Sequence, residues 1–191
     1  MAQPEDPIAA VKARIRAATI SARARRTPAD LVRAGSAIAQ HGVDRWRGAR
    51  LVAAYLSLPT EPPTAELLAV LATGGTRIVV PVVTGDALGW ADYSPGDETV
   101  VGPGGVREPA GPRLGADVLA AADVVLVPAL AVDANGHRLG RGRGYYDRAL
   151  AQVSVPSVAV VFDEELIEEV PIEAHDRPVQ GVLRPAGYAW F

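Results

Sequence analysis

Apolar residues in the first part of the chain recur at helical spacing, and the pattern then gives way to short apolar runs separated by turns. Ile8, Val11, Ile15 and Ala18 stand three and four apart, which predicts one apolar face of a first helix. Lys12 and Arg16 are also four apart, so their side chains share a face and can converge on one anion. Thr27 and Pro28 open a second helix as N-cap and first-turn residue, and Gly42 is expected to stop it after about His41. Residues 50–57 (RLVAAYLS) form an apolar run before a Pro-rich turn and read as a buried strand. Helical spacing over 64–72 ends at Gly74 and Gly75, and the β-branched run 77–83 (RIVVPVV) predicts another buried strand. A further strand is read over 88–93, and residues 94–116, rich in Gly and Pro without a period, as a long loop. Strands over 124–127 and 155–162, a helix over 145–152 and a short helix over 164–169 complete the reading. Strands alternating with helices, each strand apolar on both faces, predict an α/β fold with a parallel sheet covered on both sides. No internal repeat is visible, so residues 1–191 read as a single domain, with only the first few residues expected to be disordered.

Composition narrows the chemistry. A chain of 191 residues, 49% apolar and 21% charged, is ordinary for one globular domain with a sizeable core. A net charge of −3 argues against general nucleic-acid affinity. There is no cysteine, which excludes disulfides, thiolate nucleophiles and Cys-based zinc sites. His41, His137 and His175 are scattered, so a histidine-rich transition-metal site is not expected. The N-terminus is charged early and lacks an apolar core, unlike a secretory signal, and no uncharged stretch reaches the roughly 18 residues of a membrane span. A soluble, cytoplasmic protein is expected, as a monomer or weak homodimer. Trp46, Trp90 and Trp190 read as packing residues.

Charge is uneven along the chain. Lys12, Arg14, Arg16, Arg23, Arg25 and Arg26 crowd residues 12–26 without an acid, and residues 163–176 carry seven acids without a base. Most of these charges read as solvated helix faces. Arg23, Arg25 and Arg26 in particular are expected in solvent, with Lys12 and Arg16 turned toward a phosphorylated ligand.

The stretch with most chemistry in it is 133–148, DANGHRLGRGRGYYDR, which follows a strand and leads into a helix. In open α/β sheets ligands bind at the carboxyl ends of strands. Gly140, Gly142 and Gly144 alternate with Arg141 and Arg143. Glycine lets the backbone turn tightly and bring N–H groups to a phosphate oxygen, and arginine adds forked donors suited to phosphate. The following helix start adds its own unpaired donors. Asp147, just inside that helix, is placed to hold a magnesium ion bridging phosphates. The stretch is neither a G-x-x-x-x-G-K-[ST] loop nor a dinucleotide fingerprint, whose third glycine would fall at Tyr145. The plainer alternative is a flexible surface loop with arginines for solubility.

The run Arg138–Arg148 resembles the R-L-G-x-G-x-G-Y-Y-D-R signature of the 5-formyltetrahydrofolate cyclo-ligase family, there preceded by a strand ending in proline, here Val127-Pro128. Further pieces fall in the family's order. Lys12 and Arg16 resemble its Lys-x-x-x-Arg pair, and Tyr55, Ser57 and Glu61 its Y-x-S-x-x-x-E segment. Gly105, Glu108 and Pro109 resemble its G-I-x-E-P loop, and His175-Asp176 its H-D pair. The resemblance implies a three-layer α/β/α sandwich like that of the sugar-phosphate isomerase and CoA-transferase group. It also implies an ATP-dependent ring closure. The γ-phosphoryl group passes to the formyl oxygen of 5-formyltetrahydrofolate, the 10-position amine attacks the activated carbon, and phosphate leaves to give 5,10-methenyltetrahydrofolate. Such chemistry asks for positioning and charge neutralisation more than for a protein nucleophile.

Carried over by position, Lys12, Arg16, Arg138, Leu139, Gly140, Arg141, Gly142, Arg143, Gly144, Tyr145, Tyr146 and Asp147 would bind ATP. Leu56, Glu61 and Tyr145 would contact the folate, Tyr145 by stacking on the pterin. Arg143 and Tyr145 would take the catalytic positions, and Asp147 and Asp176 would be the magnesium ligands. One of Tyr145 and Tyr146 is expected to be a core aromatic, as is Leu56 an apolar core residue. Three departures stand out: Arg143 where the family has lysine, Gln180 where it has an acid, and Val106 before the E-P pair. Two other readings stand beside this one, the first of them favoured by Arg143 and Gln180. One is a folate-binding regulatory module without efficient turnover, marked by folate binding without ATP consumption. The other is a phosphotransferase for another small acceptor, marked by ADP release with a compound that is not a formylfolate.

Overall fold

A computed structural model describes residues 7–174 and 176–191; the first residues expected to be disordered and His175 of the H-D pair lie outside the described residues. Two long helices come first, α1 (Pro7–Ala24) and α2 (Pro28–Trp46). Thr27 caps α2 reciprocally, its hydroxyl accepting from Asp30 N–H at 3.2 Å while Asp30 Oδ2 accepts from Thr27 N–H at 2.9 Å. Gly42 does not stop α2, which runs on to Trp46. A Cβ at Gly42 would lie 2.7 Å from Leu67 Cδ1, so this glycine serves close helix packing.

The remaining elements are β1 (Leu51–Ala53), α3 (Ala65–Thr73), β2 (Arg77–Thr84), β3 (Ala87–Tyr93), β4 (Thr99–Val101), β5 (Arg107–Pro109), β6 (Val124–Pro128), β7 (Ala131–Val132), β8 (Arg138–Leu139), α4 (Tyr145–Leu150), β9 (Ser157–Val160), β10 (Gly181–Arg184) and β11 (Gly187–Trp190). Seven strands make the main sheet in the order β11-β10-β9-β6-β1-β2-β3. The five inner strands are parallel, and β3 and β11 pair antiparallel at the two edges. The loop expected over 94–116 instead contains the β4–β5 hairpin, which pairs Thr99 with Pro109 and Val101 with Arg107. Its short strands, one of them ending in proline, carry no apolar alternation from which a hairpin could be read.

Alternation along each inner strand divides the core. Val52, Ile78, Val80, Leu126, Val158 and Leu183 pack with Ile38 of α2 and Leu67, Leu68 and Leu71 of α3. Leu51, Ala53, Val79, Val125, Val127, Ala159 and Val182 face the other way, toward Leu119 and the Tyr145–Leu150 helix. The sheet is therefore mainly parallel and covered on both faces, as its continuous apolar runs require. Trp46 and Trp90 are buried, whereas Trp190 is 52% exposed on the edge strand and not a core residue. Among the described residues no helix is long and apolar enough to cross a membrane.

The first helix differs most from its sequence reading. Ile8 and Ala18 are exposed, and the buried positions are Lys12 and Arg23. The cause is that α1 packs on the small β7–β8 hairpin and the acidic segment, where only Ile15 joins an apolar cluster, with Ala131, Leu139 and Val170. Nor are the two charge runs wholly solvated: Lys12, Arg23 and Arg26 pair with the acidic run, while Arg14, Arg25, Glu168 and Glu169 stay exposed. Lys12 Nζ donates to Glu173 Oε2 at 2.6 Å and Asp176 Oδ2 at 2.7 Å. Arg23 holds Glu165 in a two-pronged pair at 2.7 Å per bond, both side chains buried. Arg26 pairs with Glu164 and lies 3.6 Å from the centre of the Phe162 ring. Of the three arginines expected in solvent, only Arg25 is exposed; its guanidinium bonds Ser21 of its own helix.

Candidate active site

A cavity of about 380 Å³ opens at the carboxyl ends of β1, β2 and β6, where an open α/β sheet places its ligands. Tyr55, Leu56, Leu58 and Glu61 come from the segment after β1, Pro81 and Val83 from β2, and Pro128, Ala129 and Leu130 from the end of β6. Leu88 of β3 adds to the wall, and Pro103, Gly104 and Val106 cover it from the β4–β5 connection. Arg138, Arg141, Arg143, Gly144, Tyr145, Tyr146 and Asp147 complete it from the glycine-rich stretch. The lining is mostly apolar, with Arg138, Arg141 and Arg143 together on the glycine-rich stretch.

The glycine-rich stretch turns as its composition requires. Gly142 and Gly144 have φ of +90° and +65°, in the left-handed region that a side chain rarely adopts. The loop is tied down from several directions. Arg16 Nε donates to Gly140 O at 2.9 Å, which anchors α1 against it. Arg138 Nη2 donates to Asp147 Oδ1 at 2.6 Å, and Arg177 N–H reaches the same oxygen at 3.3 Å. Arg148 Nη2 donates to Arg143 O and Asp86 O at 3.0 and 2.6 Å. Arg143 itself is exposed at the cavity wall.

Glu61 joins the two halves of the site. Its buried carboxylate accepts from Leu58 N–H at 3.0 Å on Oε2 and from Arg141 at 3.2 and 3.3 Å on Oε1. Tyr145 lines the cavity and its hydroxyl donates to Gly85 O at 3.4 Å. Tyr146 is half-buried like Tyr145, but its hydroxyl oxygen is fully buried. Burial pushes its hydroxyl far above the ordinary tyrosine range, and that oxygen has no hydrogen-bond partner among the described residues. Burial likewise raises Tyr55, whose hydroxyl donates to Pro62 O at 3.4 Å.

The sequence-assigned residues fall into two groups. Leu56, Glu61, Arg138, Arg141, Arg143, Gly144, Tyr145, Tyr146 and Asp147 share the cavity. Lys12, Arg16, Leu139, Gly140, Gly142 and Asp176 do not line it; Lys12, Arg16 and Asp176 lie with α1, the glycine turn and the segment before β10. Asp176 accepts from Lys12 and from Glu173 N–H at 2.8 Å. Among the described residues no three His, Asp or Glu side chains gather as a metal cage. Gln180 stands apart from both groups: its Oε1 accepts from Ser157 N–H and Oγ at 2.8 and 3.1 Å, capping the start of β9.

Sequence reasoning missed four contributors. Arg23 lines the cavity although it stands on α1, eleven positions after Lys12, a spacing that returns to the same helix face. Glu108, read only as part of a motif, accepts from Val83 N–H at 2.9 Å and so pins the β4–β5 hairpin over the cavity. Val83 and Leu88 were legible as strand residues, yet nothing in a strand's pattern says that its end faces a ligand.

Known proteins share the sequence and the fold. The sequence model of the 5-formyltetrahydrofolate cyclo-ligase family matches residues 8–185. A 5-formyltetrahydrofolate cyclo-ligase of Mycolicibacterium smegmatis is 42% identical over 174 residues, 84% of this chain and 88% of the relative. That of Escherichia coli is 32% identical over 144 residues, 72% and 79% of the two chains. The 5,10-methenyltetrahydrofolate synthetase of Aquifex aeolicus superposes with a TM-score of 0.76 at 24% identity, covering 94% of this chain and 92% of that one. The Mycoplasma pneumoniae 5,10-methenyltetrahydrofolate synthetase gives 0.73 at 18% identity, covering 90% and 97%. These structures share the α/β fold with its mainly parallel sheet. A family match over nearly the whole length, together with a relative at 42% identity, means that the chain belongs to the 5-formyltetrahydrofolate cyclo-ligase family.

Proposed function

We propose that this protein closes the ring of 5-formyltetrahydrofolate to 5,10-methenyltetrahydrofolate with ATP, releasing ADP and phosphate. The observation that carries the reading is one cavity at the sheet's carboxyl ends, walled by Glu61 and Tyr145 and joined to an arginine-bearing glycine turn. The apolar walls suit a flat pterin, with Glu61 accepting from its N–H groups and the Tyr145 ring stacking on it. The turn suits a triphosphate, with Lys12 and Arg16 on α1 supplying charge from its far side.

In the first step the formyl oxygen attacks the γ-phosphorus, the bond to the β-phosphate oxygen breaks, and ADP departs. The 10-position amine then attacks the activated carbon and loses its proton; the carbon–oxygen bond breaks and inorganic phosphate leaves. The protein's contribution is to hold the two substrates in line and to neutralise charge spread over the transferring group, the place we assign to Arg143. Val106 and Tyr145 line the cavity, where a bound pterin against them would limit water at the activated formyl carbon.

Magnesium fits as an ion held mostly by phosphate oxygens and water, since the described residues gather no cage of three ligands for it. Asp147 suits one ligand position: it lines the cavity, and the bonds from Arg138 and Arg177 both fall on Oδ1, leaving Oδ2. Asp176 would be a second ligand if Lys12 turned from the carboxylates to a phosphate. When bound, the ion would screen the β- and γ-phosphates. We further read the fold as a single-domain three-layer sandwich of the sugar-phosphate isomerase and CoA-transferase group, acting in the cytoplasm as a monomer or weak homodimer.

The test is the absorbance of the methenyl product. Purified protein is expected to form it from 5-formyltetrahydrofolate only with ATP and magnesium together; equal rates without ATP would defeat the reading. Arg143→Ala is expected to weaken ATP by about tenfold, the effect of a charge-assisted hydrogen bond, while leaving folate binding nearly unchanged. Arg143→Lys should retain most of the affinity because the charge remains. Calorimetry showing unchanged ATP affinity in Arg143→Ala would remove this arginine from the phosphate site.

A further inference from the structure

Arg23 is a charged side chain only 3% exposed, and it forms part of the cavity wall. Its Nε and Nη2 are used within the fold, on Glu165 at 2.7 Å each and on Ala129 O at 2.6 Å. Nη1 meets no partner among the described residues. The guanidinium plane is fixed by the fork on Glu165 and by the Phe162 ring, 5.7 Å from its carbon, so its free donor has a set direction. Glu61, like Asp147 a carboxylate of the cavity wall, accepts two bonds from Arg141 on Oε1 and one from Leu58 N–H on Oε2, which leaves Oε2 a further lone pair.

A pterin has a matching edge. Its 2-amino group and adjacent ring N–H donate, and the neighbouring 4-oxo oxygen accepts. A carboxylate satisfies the donors but not the oxygen, and a buried acceptor without a donor costs free energy. Resting on the cyclo-ligase reading, we propose that Arg23 donates through Nη1 to the 4-oxo oxygen of the folate ring, and that this contact makes the site prefer 4-oxo over 4-amino pterins. An amino group at that position points donors at a donor. The guanidinium cannot lose its charge to relieve the clash, as Glu165 and the carboxylate field hold its pKa above even the ordinary arginine value against the opposing effect of burial.

The experiment measures binding of 5-formyltetrahydrofolate and of a 4-amino pteridine of the same shape by tryptophan fluorescence, without ATP. The unaltered protein should prefer the 4-oxo compound by about tenfold or more, as a charge-assisted contact implies. Arg23→Lys keeps the ion pair with Glu165 but lacks a second forked donor, so its preference should fall to within about twofold, with ATP affinity unchanged. The double change Arg23→Met with Glu165→Leu removes both buried charges together and should give the same collapse, which guards against a fold lost to an unpaired charge. Glu165→Gln should preserve the preference, because Ala129 O and the amide still hold the guanidinium. A purely structural Arg23 would lower the melting temperature of these variants and leave the preference intact, which would overturn the proposal. If neither pterin binds the unaltered protein, the cyclo-ligase reading itself fails along with it.

Discussion

Replacing Asp133 with alanine is expected to lower the free energy of unfolding by about 3–5 kcal/mol, the scale of several buried donors losing one charged acceptor. The carboxylate is fully buried and accepts from Asn135 N–H at 2.9 Å and from His137 N–H and Val170 N–H at 3.0 Å. His137 Nδ1 also stands 3.0 Å from Oδ2. Burial works to raise the Asp133 pKa, but the bonds from Val170 and His137 outweigh it and hold the group below the ordinary carboxylate range. A depressed folded-state pKa means stabilisation that is complete above the unfolded value, near pH 4, and lost as pH falls through the folded one. The unaltered protein should therefore lose stability on acidification below about pH 4, and Asp133→Ala should show a shallower acid slope. Urea unfolding at neutral and acid pH gives both quantities. The consequence reaches the site, because Asp133 ties the β7–β8 hairpin, which carries Arg138, to Val170 in the acidic segment. An unchanged urea midpoint would mean that water replaces the lost acceptor.

How much of this was legible in the sequence depends on whether the partners of a feature are near in the chain. The glycine turn was legible because its glycines, arginines and Asp147 are consecutive, so spacing alone puts them in one place. The inner strands were legible because burial on both faces leaves an unbroken apolar run, as in Val124–Pro128. Helix α1 misled because a pattern of Ile and Ala at helical spacing was read as the buried face. The face that faces the protein is marked instead by Lys12, Ile15, Arg16 and Arg23, three of them charged. Their burial is tolerable only because Glu165, Glu173 and Asp176 arrive from about 140 to 165 positions away, and no local pattern announces that meeting. Glu108 and the β4–β5 hairpin escaped for the same reason. The hairpin is too short for a period, and its role depends on Val83 N–H, 25 positions earlier.

Lys12→Met is expected to weaken ATP roughly 10- to 150-fold, the range of a buried charge-assisted contact, and to leave folate binding without nucleotide within about twofold. Lys12 is buried yet stands on the same helix as Arg16, which touches Gly140 of the phosphate-suited turn. Its ammonium now bridges Glu173 and Asp176 at 2.6 and 2.7 Å, so two carboxylates hold it where a polyphosphate would otherwise meet acid. Phosphate is the stronger and more charged acceptor, and an ammonium with a flexible stem can turn to it without moving the helix. Under the proposed function, that exchange would take the Lys12 bond from Asp176 as a nucleotide brings its magnesium ion. Methionine keeps most of the stem's volume while removing the charge, so the loss should fall on the nucleotide and not on packing. Asp176→Asn separates the two roles of the carboxylate. It keeps Lys12 bonded to Glu173, and if Asp176 serves the ion, it should raise the magnesium needed for half-activity and also weaken magnesium-dependent ADP binding measured by calorimetry. If magnesium dependence is unchanged and only the melting temperature drops, Asp176 is a structural anchor for Lys12, and Asp147 is left as the sole candidate ligand.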